Sequence, residues 1–425
     1  MFFADGNHGE REMKIALVSN RDTVGGDARA AYRLHQGFRS IGLDSKMLVQ
    51  LKFGDDESVI GPKSGLPRYQ EILRTHLDQL VCRFYPGRSK TIGFSPAIFT
   101  GGMPKSVLKL SPDIIHLHRI TGGFFRIESL KKIKAPLVWT LHDSWSFTGG
   151  CDCTGDCLRY QQSCGKCPIL GSDREFDLSR WIWKRKQKAW EGINLTVVTP
   201  SAWLKKRGSQ SSLFKRRRIE VIPNGIDVHR FYPVKKEMAR KLLGLPAEKK
   251  LILFTAMKLN DPHKGGRYLL EASRALSNAA SDQPELVFLG SSTMRNDALP
   301  LKANYLGRLQ DDASLALVYS AADLLVAPYT EDNFPNVVLE AMACGTPVVG
   351  FDAGGIPEIV EHQKTGYLAK SEDVSDLVHG ITWTLDDFKR WQSLSKAARK
   401  KVEDEFEIKK IANRYLTLFE ELLRA

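Results

Sequence analysis

Asp332 and Glu340 stand eight residues apart, with Glu331 beside the first and Asn336 and Val337 between them. The apolar run Asp323-Leu-Leu-Val-Ala-Pro328 ahead of them predicts a buried parallel strand. Residues 336–344 predict a helix, stopped by Gly345 and Pro347, and Val348-Val-Gly-Phe351 predicts the strand after it. Free N–H groups of the helix's first turn then point into the crevice beyond the strand end, where a diphosphate can sit. A carboxylate on the loop, Asp332 aided by Glu331, can reach a sugar. Glu340, inside the helix, can reach a ribose. Upstream, Lys258 and Lys264 lie six residues apart after the strand predicted at 251–255, just before Gly265-Gly266. Two cations so placed can flank a pyrophosphate. Lysine acts there as a point charge and neutralises without a bidentate clamp.

In the first half, His116 and His118 end a strand predicted from 113, and His142-Asp143 follows one predicted at 137–141. Parallel strands point their carboxyl ends at a ligand crevice, so these rings should face it. His142 can hydrogen-bond a sugar hydroxyl or meet developing charge, His118 suits the acceptor side, and His116 reads as structural. Gly25-Gly26 precedes a helix and permits close approach of an anion. It is not G-x-G-x-x-G, and no acid closes the second strand, which disfavours a nicotinamide or flavin enzyme.

Five of seven cysteines cluster at Cys151, Cys153, Cys157, Cys164 and Cys167. Cys164-x2-Cys167 has the knuckle spacing of a tetrahedral thiolate site, with Cys151 and Cys157 as the second pair and Cys153 spare. Four thiolates leave no open position, so a structural zinc that braces a loop is the expectation. Cys82 and Cys344 read as ordinary buried cysteines.

These residues must be held by many elements. The chain of 425 residues is too long for one core, and its 42% hydrophobic and 26% charged shares are those of a globular protein. Strands and helices alternate almost throughout, which predicts doubly wound parallel sheets. Further strands are predicted at 15–19, 45–49, 195–198, 219–222, 286–289, 304–306 and 324–327, and helices at 28–40, 267–276, 313–321 and 408–424. Turn residues Pro223-Asn-Gly-Ile-Asp227 mark a linker. No apolar run is long enough to span a bilayer, and residues 1–12 read as a loose polar extension without the apolar centre of a secretion signal. The net charge of +13 is uneven: residues 180–218 hold twelve Lys and Arg against one acid, interleaved with Trp181, Trp183, Trp190 and Trp203. That tract suits an anionic membrane surface, and no nucleic-acid-binding signature accompanies it.

The acidic unit and the segment Thr140-Leu-His142-Asp-Ser-Trp145 resemble the family 4 retaining glycosyltransferases, whose acidic pattern is Glu-x7-Glu. Asp332 stands where the first Glu is usual and Lys258 where Arg is usual. The resemblance implies an α/β chain with two Rossmann-like domains facing across a cleft, the GT-B architecture. It places an acceptor-side domain at 13–227 with a Cys-rich insertion at 149–170, a nucleotide-sugar domain at 228–405, and a last helix, 406–425, returning to the first domain. It implies His142, Asp332 and Glu331 at the sugar, and Gly25, Gly26, Lys258, Lys264, Asn336, Val337 and Glu340 on the donor. Catalysis would need no metal and would proceed by front-face attack. A similar Cys-rich insertion occurs in colanic-acid-like exopolysaccharide enzymes of the family, so the implied partners are a nucleotide-sugar donor, a lipid-linked glycan acceptor and an anionic membrane. No nucleic-acid partner is implied, and the expected location is the cytoplasmic face of the plasma membrane. Two rivals share these signals: a nonhydrolysing sugar-nucleotide epimerase, and a zinc-bearing membrane or nucleic-acid adaptor on a degenerate transferase fold.

Overall fold

Short, almost wholly apolar runs bury both faces and pair in parallel, because helices cover each side of the sheets they form. In the computed structural model, which describes residues 13–99, 103–256, 261–279, 283–290 and 299–424, they build two sheets. The first contains β1 (Lys14–Arg21), β2 (Asp44–Leu51), β3 (Val59–Ile60), β4 (Ile114–Leu117), β5 (Leu137–Thr140), β6 (Leu195–Thr199) and β7 (Ile219–Val221). The second contains β8 (Leu251–Ala256), β9 (Glu285–Gly290), β10 (Ala303–Tyr305), β11 (Leu324–Ala327), β12 (Val348–Phe351) and β13 (Gly366–Ala369). Strand orders are β3-β2-β1-β4-β5-β6-β7 and β10-β9-β8-β11-β12-β13.

Each order reverses once at its centre, between β1 and β4 in the first sheet and between β8 and β11 in the second. Chain leaving adjacent strands there diverges to opposite sides and opens a crevice, the place where α/β sheets hold ligands. The loops at the first reversal carry Gly25-Gly26 and His118. Those at the second carry Lys264 and Glu331-Asp332. Chemistry-bearing residues thus gather where the topology leaves room.

The chain crosses between the sheets twice, and the crossings are stitched together. Ile226 N–H donates to Phe406 O at 2.9 Å, and Ile408 N–H to Ile226 O at 2.9 Å. The final helix, Ile408–Arg424, then buries Ile411, Ala412, Tyr415, Leu418 and Phe419 against Leu17, Phe38, Val49 and Val138 of the first sheet's core. Close backbone contact at the crossing is eased because Gly225 has no side chain: a Cβ there would lie 3.1 Å from the Ile408 Cα.

Several elements lie outside the sequence expectations, among them β3, β13 and helices at Gly65–Leu80, Leu178–Trp190, Ala202–Gln210, Lys236–Leu243, Val374–Leu385 and Phe388–Lys401. The basic tract at 180–218 is not a free cationic face. Trp183 and Trp190 are buried, and Lys186 is fully buried with its ammonium on Trp145 O and Thr148 O. Arg185 is tied to Glu128, Pro96 O and Ala97 O, and Arg217 to Ile193 O and Trp190 O. These cations brace the helix Leu178–Trp190 and its surroundings. Lys184, Lys188, Lys206, Lys215, Arg216 and Arg218 stay exposed, so only part of the tract is open to a charged surface.

Candidate active site

Lys264 ends a single helical turn, Pro262–Lys264, which Asp261 caps by accepting from His263 N–H at 3.0 Å. Gly265 follows at φ +67°, and a Cβ there would lie 1.8 Å from Pro328 O, so only glycine lets this loop rest on the end of β11. That approach brings the Lys264 ammonium to 2.6 Å from Asp332 Oδ2. Burial alone would lower the lysine's pKa, but Asp332 outweighs it and holds the group protonated. The Tyr329 ring lies 4.3 Å beneath the ammonium. On the other side, Gly354 and Gly355 carry the backbone against Asp332 and Asn333, and Gly355 N–H donates to Asp332 O at 2.9 Å. Lys258 lies outside the described residues.

The helix Asn336–Ala343 starts four residues past Asp332. Its first residue reaches across the cleft: Asn336 Nδ2 donates to Gly26 O at 2.7 Å, and its Oδ1 accepts from Asn224 at 3.0 Å. Val337 packs beside it against the second core. Gly25, at φ +112°, gives the turn that opens the first helix, Gly26–Ser40. Glycine turn and helix N-terminus therefore face each other, as an anion held between two domains requires. Glu340, one turn further in, is buried, with Oε1 2.7 Å from Arg33 Nη2 and Oε2 2.5 Å from the Tyr319 hydroxyl. Arg33 comes from the opposite domain. Burial opposes its charge, but Glu340 and Asp312 raise its pKa further.

His118 Nδ1 and His142 Nε2 are 2.8 Å apart and the rings are stacked, so one nitrogen carries the shared proton. Burial pushes the pKa of both rings down, which keeps them neutral near pH 7. The His142 carbonyl accepts from Asn333 of the acidic loop, which joins the two halves of the site. His116 sits deeper, on Thr140 and behind it Tyr415 of the final helix. Arg119, which sequence reasoning missed, lies 3.1, 3.6 and 3.7 Å from Asp27, Asp143 and Asp152. It gathers one carboxylate from the first turn of the helix Gly26–Ser40 and two from the long connection after β5, and spacing along the chain carries no sign of that.

Cys151, Cys157, Cys164 and Cys167 line one cavity of about 20 Å³, room for a single small body. Gly149 N–H points at Cys164 Sγ, 3.2 Å away. Burial raises the thiols, Cys164 to about 12 and Cys167 to about 11. The four sulfurs are spread: among the described residues, the trio of metal-ligating groups within 4.8 Å of one another is Cys153, His263 and Glu331. An ion among the four would have to draw them together. In the trio, Arg207 already meets Glu331 at 3.2 Å and supplies the positive charge.

Comparisons with known proteins span both domains. A family model described as "Glycosyltransferase Family 4" matches residues 24–230, and one described as "Glycosyl transferases group 1" matches residues 249–387. The D-inositol 3-phosphate glycosyltransferase of Thermobispora bispora is 27% identical over 352 residues, covering 78% of this chain and 73% of its own length. Among solved structures, sucrose-phosphate synthase from Thermosynechococcus elongatus superposes with a TM-score of 0.68 at 21% identity, covering 97% of this chain and all of that one. Anabaena HepE with bound UDP-glucose gives 0.61 at 19% identity, covering 96% of this chain and all of that one. At these identities the structural likeness shows the fold, two Rossmann-like domains across a cleft.

Proposed function

We propose, from the premise that this chain belongs to the group 1, family 4 glycosyltransferases and uses a nucleotide-sugar donor, that it moves a hexosyl group with retention onto a lipid-linked glycan of a cell-surface polysaccharide. The observation that carries this reading is the pairing of Lys264 with Asp332 beside a helix N-terminus that faces Gly25-Gly26. When donor enters, the Lys264 ammonium turns to the leaving diphosphate, joined by Lys258 and the amides at Asn336 and Val337. Asp332, released from the lysine, accepts hydrogen bonds from the sugar hydroxyls, with Glu331 beside it. Glu340 accepts from the ribose. His142, neutral, hydrogen-bonds the sugar, and His118 fixes its ring on the acceptor side. The departing phosphate oxygen takes the acceptor's proton as the new glycosidic bond forms on the same face. Lysine and backbone amides supply the positive charge, so no metal enters the chemistry. Nucleotide sugars and seven cysteines without a disulfide suit the cytoplasm, at the inner face of the plasma membrane.

The cysteine cavity is assigned a structural tetrathiolate zinc, remote from the chemistry. Lys186 favours it. Burial lowers this lysine to about 7, and Cys151 and Cys164 are the first groups whose charge would restore it. A zinc–tetrathiolate centre is dianionic and would give the buried ammonium its counter-charge.

A thermal-shift series with UDP-, GDP-, ADP- and dTDP-sugars tests the donor reading. One nucleotide class should stabilise the protein by several degrees, and Lys264→Ala should abolish the shift. A donor that is epimerised in the absence of acceptor would replace the transferase reading with the epimerase one.

A further inference from the structure

The helix Gly65–Leu80 is built inside out. Asp78 is its one buried residue, while Leu66, Tyr69, Leu73 and Leu80 are 69, 70, 57 and 40% exposed, and Phe84 in the following turn is 84% exposed. Positions 66, 69, 73, 77, 80 and 84 fall on one stripe at helical spacing. The inner side is held by polar contacts instead: Asp78 accepts from Ser95 Oγ at 2.7 Å and Ile98 N–H at 2.9 Å, and Thr75 donates to Gly122 O at 3.0 Å. A contiguous apolar stripe turned to solvent on a helix anchored by its polar face marks a surface made to be covered.

Charge selects what covers it. Residues 60–90 hold six Lys and Arg against two acids, one of them the buried Asp78. Arg83 and Lys90 are exposed and flank the end of the stripe. The patch continues onto its neighbour, where Leu178 N–H donates to the Tyr85 hydroxyl at 2.9 Å. There the exposed Phe176 ring carries the Arg180 and Lys184 side chains at 5.5 and 5.1 Å. A second copy of this chain would bring like charge against like charge. An anionic bilayer offers both the apolar phase and the negative surface.

We infer that this helix, from Leu66 to Phe84, lies in the interface of an anionic phospholipid bilayer and docks the enzyme there. The placement deepens the proposed lipid-borne acceptor and rests on that reading for its purpose. The helix sits directly on Gly122-Gly123, where a Cβ at Gly123 would meet Arg74 O at 2.7 Å, and this is the loop that begins at His118. Docking would therefore bring the acceptor side of the cleft to the lipid surface.

The experiment is flotation of the full chain with vesicles of phosphatidylglycerol and phosphatidylcholine, beside vesicles of phosphatidylcholine alone. The wild type should float with anionic vesicles at physiological salt and be released as salt rises. Leu73→Glu with Phe84→Glu should lower partition by roughly tenfold or more, since two apolar contacts become anionic. The thermal shift given by the nucleotide sugar should stay as in the wild type, which reports an intact fold and donor site. In a separate variant, Tyr69→Trp, the new indole's fluorescence should be quenched by brominated acyl chains. Undiminished flotation of the double variant, or an indole at position 69 that bromolipids leave unquenched, overturns the inference. So does light scattering that shows the stripe holding two copies together without lipid binding. Vesicle binding without any response to nucleotide sugars would leave this docking standing and sink the transferase reading instead.

Discussion

At the scale of single residues, the site is a set of charges that each have a stand-in partner. Lys264 rests on Asp332 and Glu340 on Arg33, so on the proposed reading a donor binds by exchange and not by filling unpaired groups. Lys264→Ala should cost about 3 kcal/mol of transition-state stabilisation, roughly a hundredfold in kcat/KM, with partial recovery in Lys264→Arg. Full activity of the alanine variant would place the diphosphate elsewhere. Glu340→Gln should weaken donor binding about tenfold, because an acceptor loses its charge. If calorimetry finds the affinity unchanged, Glu340 serves only to pair Arg33 between the domains. The histidines set a pH limit. Burial lowers His116 to about 3, and His118 and His142 also fall below their usual value. Below pH 6.5 the unfolded chain takes up protons that the fold refuses, so stability is full above that pH. It is lost as pH falls, at a slope approaching about 1.4 kcal/mol per pH unit for His116 and for His118, with His142 adding in the same direction. Urea melts from pH 7.5 to 5 should show this slope, and a flat profile would mean the rings are charged in the fold.

Elements differ in how openly the sequence declares them. Strands β1, β8, β11 and β12 are continuous apolar runs bounded by turn residues, and the final helix is amphipathic with its apolar face inward, so their positions could be read directly. The two-residue β3 carries too little pattern. The helix Gly65–Leu80 carries its apolar residues at helical spacing and was there to be read, but Gly65 and Pro67 at its start look like a loop. The acidic unit was legible because its residues are neighbours in sequence as well as in space. Arg29, Arg33, Arg119 and Arg207 were not, since Arg33 meets Glu340 across 307 positions and Arg29 meets Asp312 across 283. At this scale the cysteine loop makes its own prediction. Metal analysis under reducing conditions should find about one zinc per chain, lost in Cys164→Ser with Cys167→Ser, and chelation should lower the melting temperature. Metal-free protein with freely titrating thiols would refute the site.

The whole molecule is two sheets joined by one narrow strap and by polar contacts across the cleft. Arg29 to Asp312, Arg207 to Glu331, and Glu358 to the Ala202 and Trp203 N–H groups hold it shut. These pairs are partly open to water, so each is worth on the order of 1 kcal/mol, weak enough for a ligand to replace, while the buried Arg33–Glu340 pair also crosses the cleft. Replacing Arg29 and Arg207 by Ala should raise the radius of gyration seen by X-ray scattering and leave the melting temperature nearly unchanged. Unaltered scattering would show that the buried Arg33–Glu340 pair, the Asn336 and Asn333 contacts and the strap at Ile226 and Phe406 hold the domains without these two arginines. The final helix has another consequence. It completes the core of the first sheet, yet it is the last described part of the chain to be synthesised. During translation the first domain must wait, with the part of one sheet face beside the helix Gly26–Ser40 uncovered, until some two hundred later residues have left the ribosome. At about 5–20 residues per second that is an interval of roughly ten seconds or more, in which Phe38 and Val49 have no lasting cover. A nascent chain of this kind is an obvious client for holding chaperones. Deleting the last helix would extend that exposed state from seconds to the lifetime of the protein.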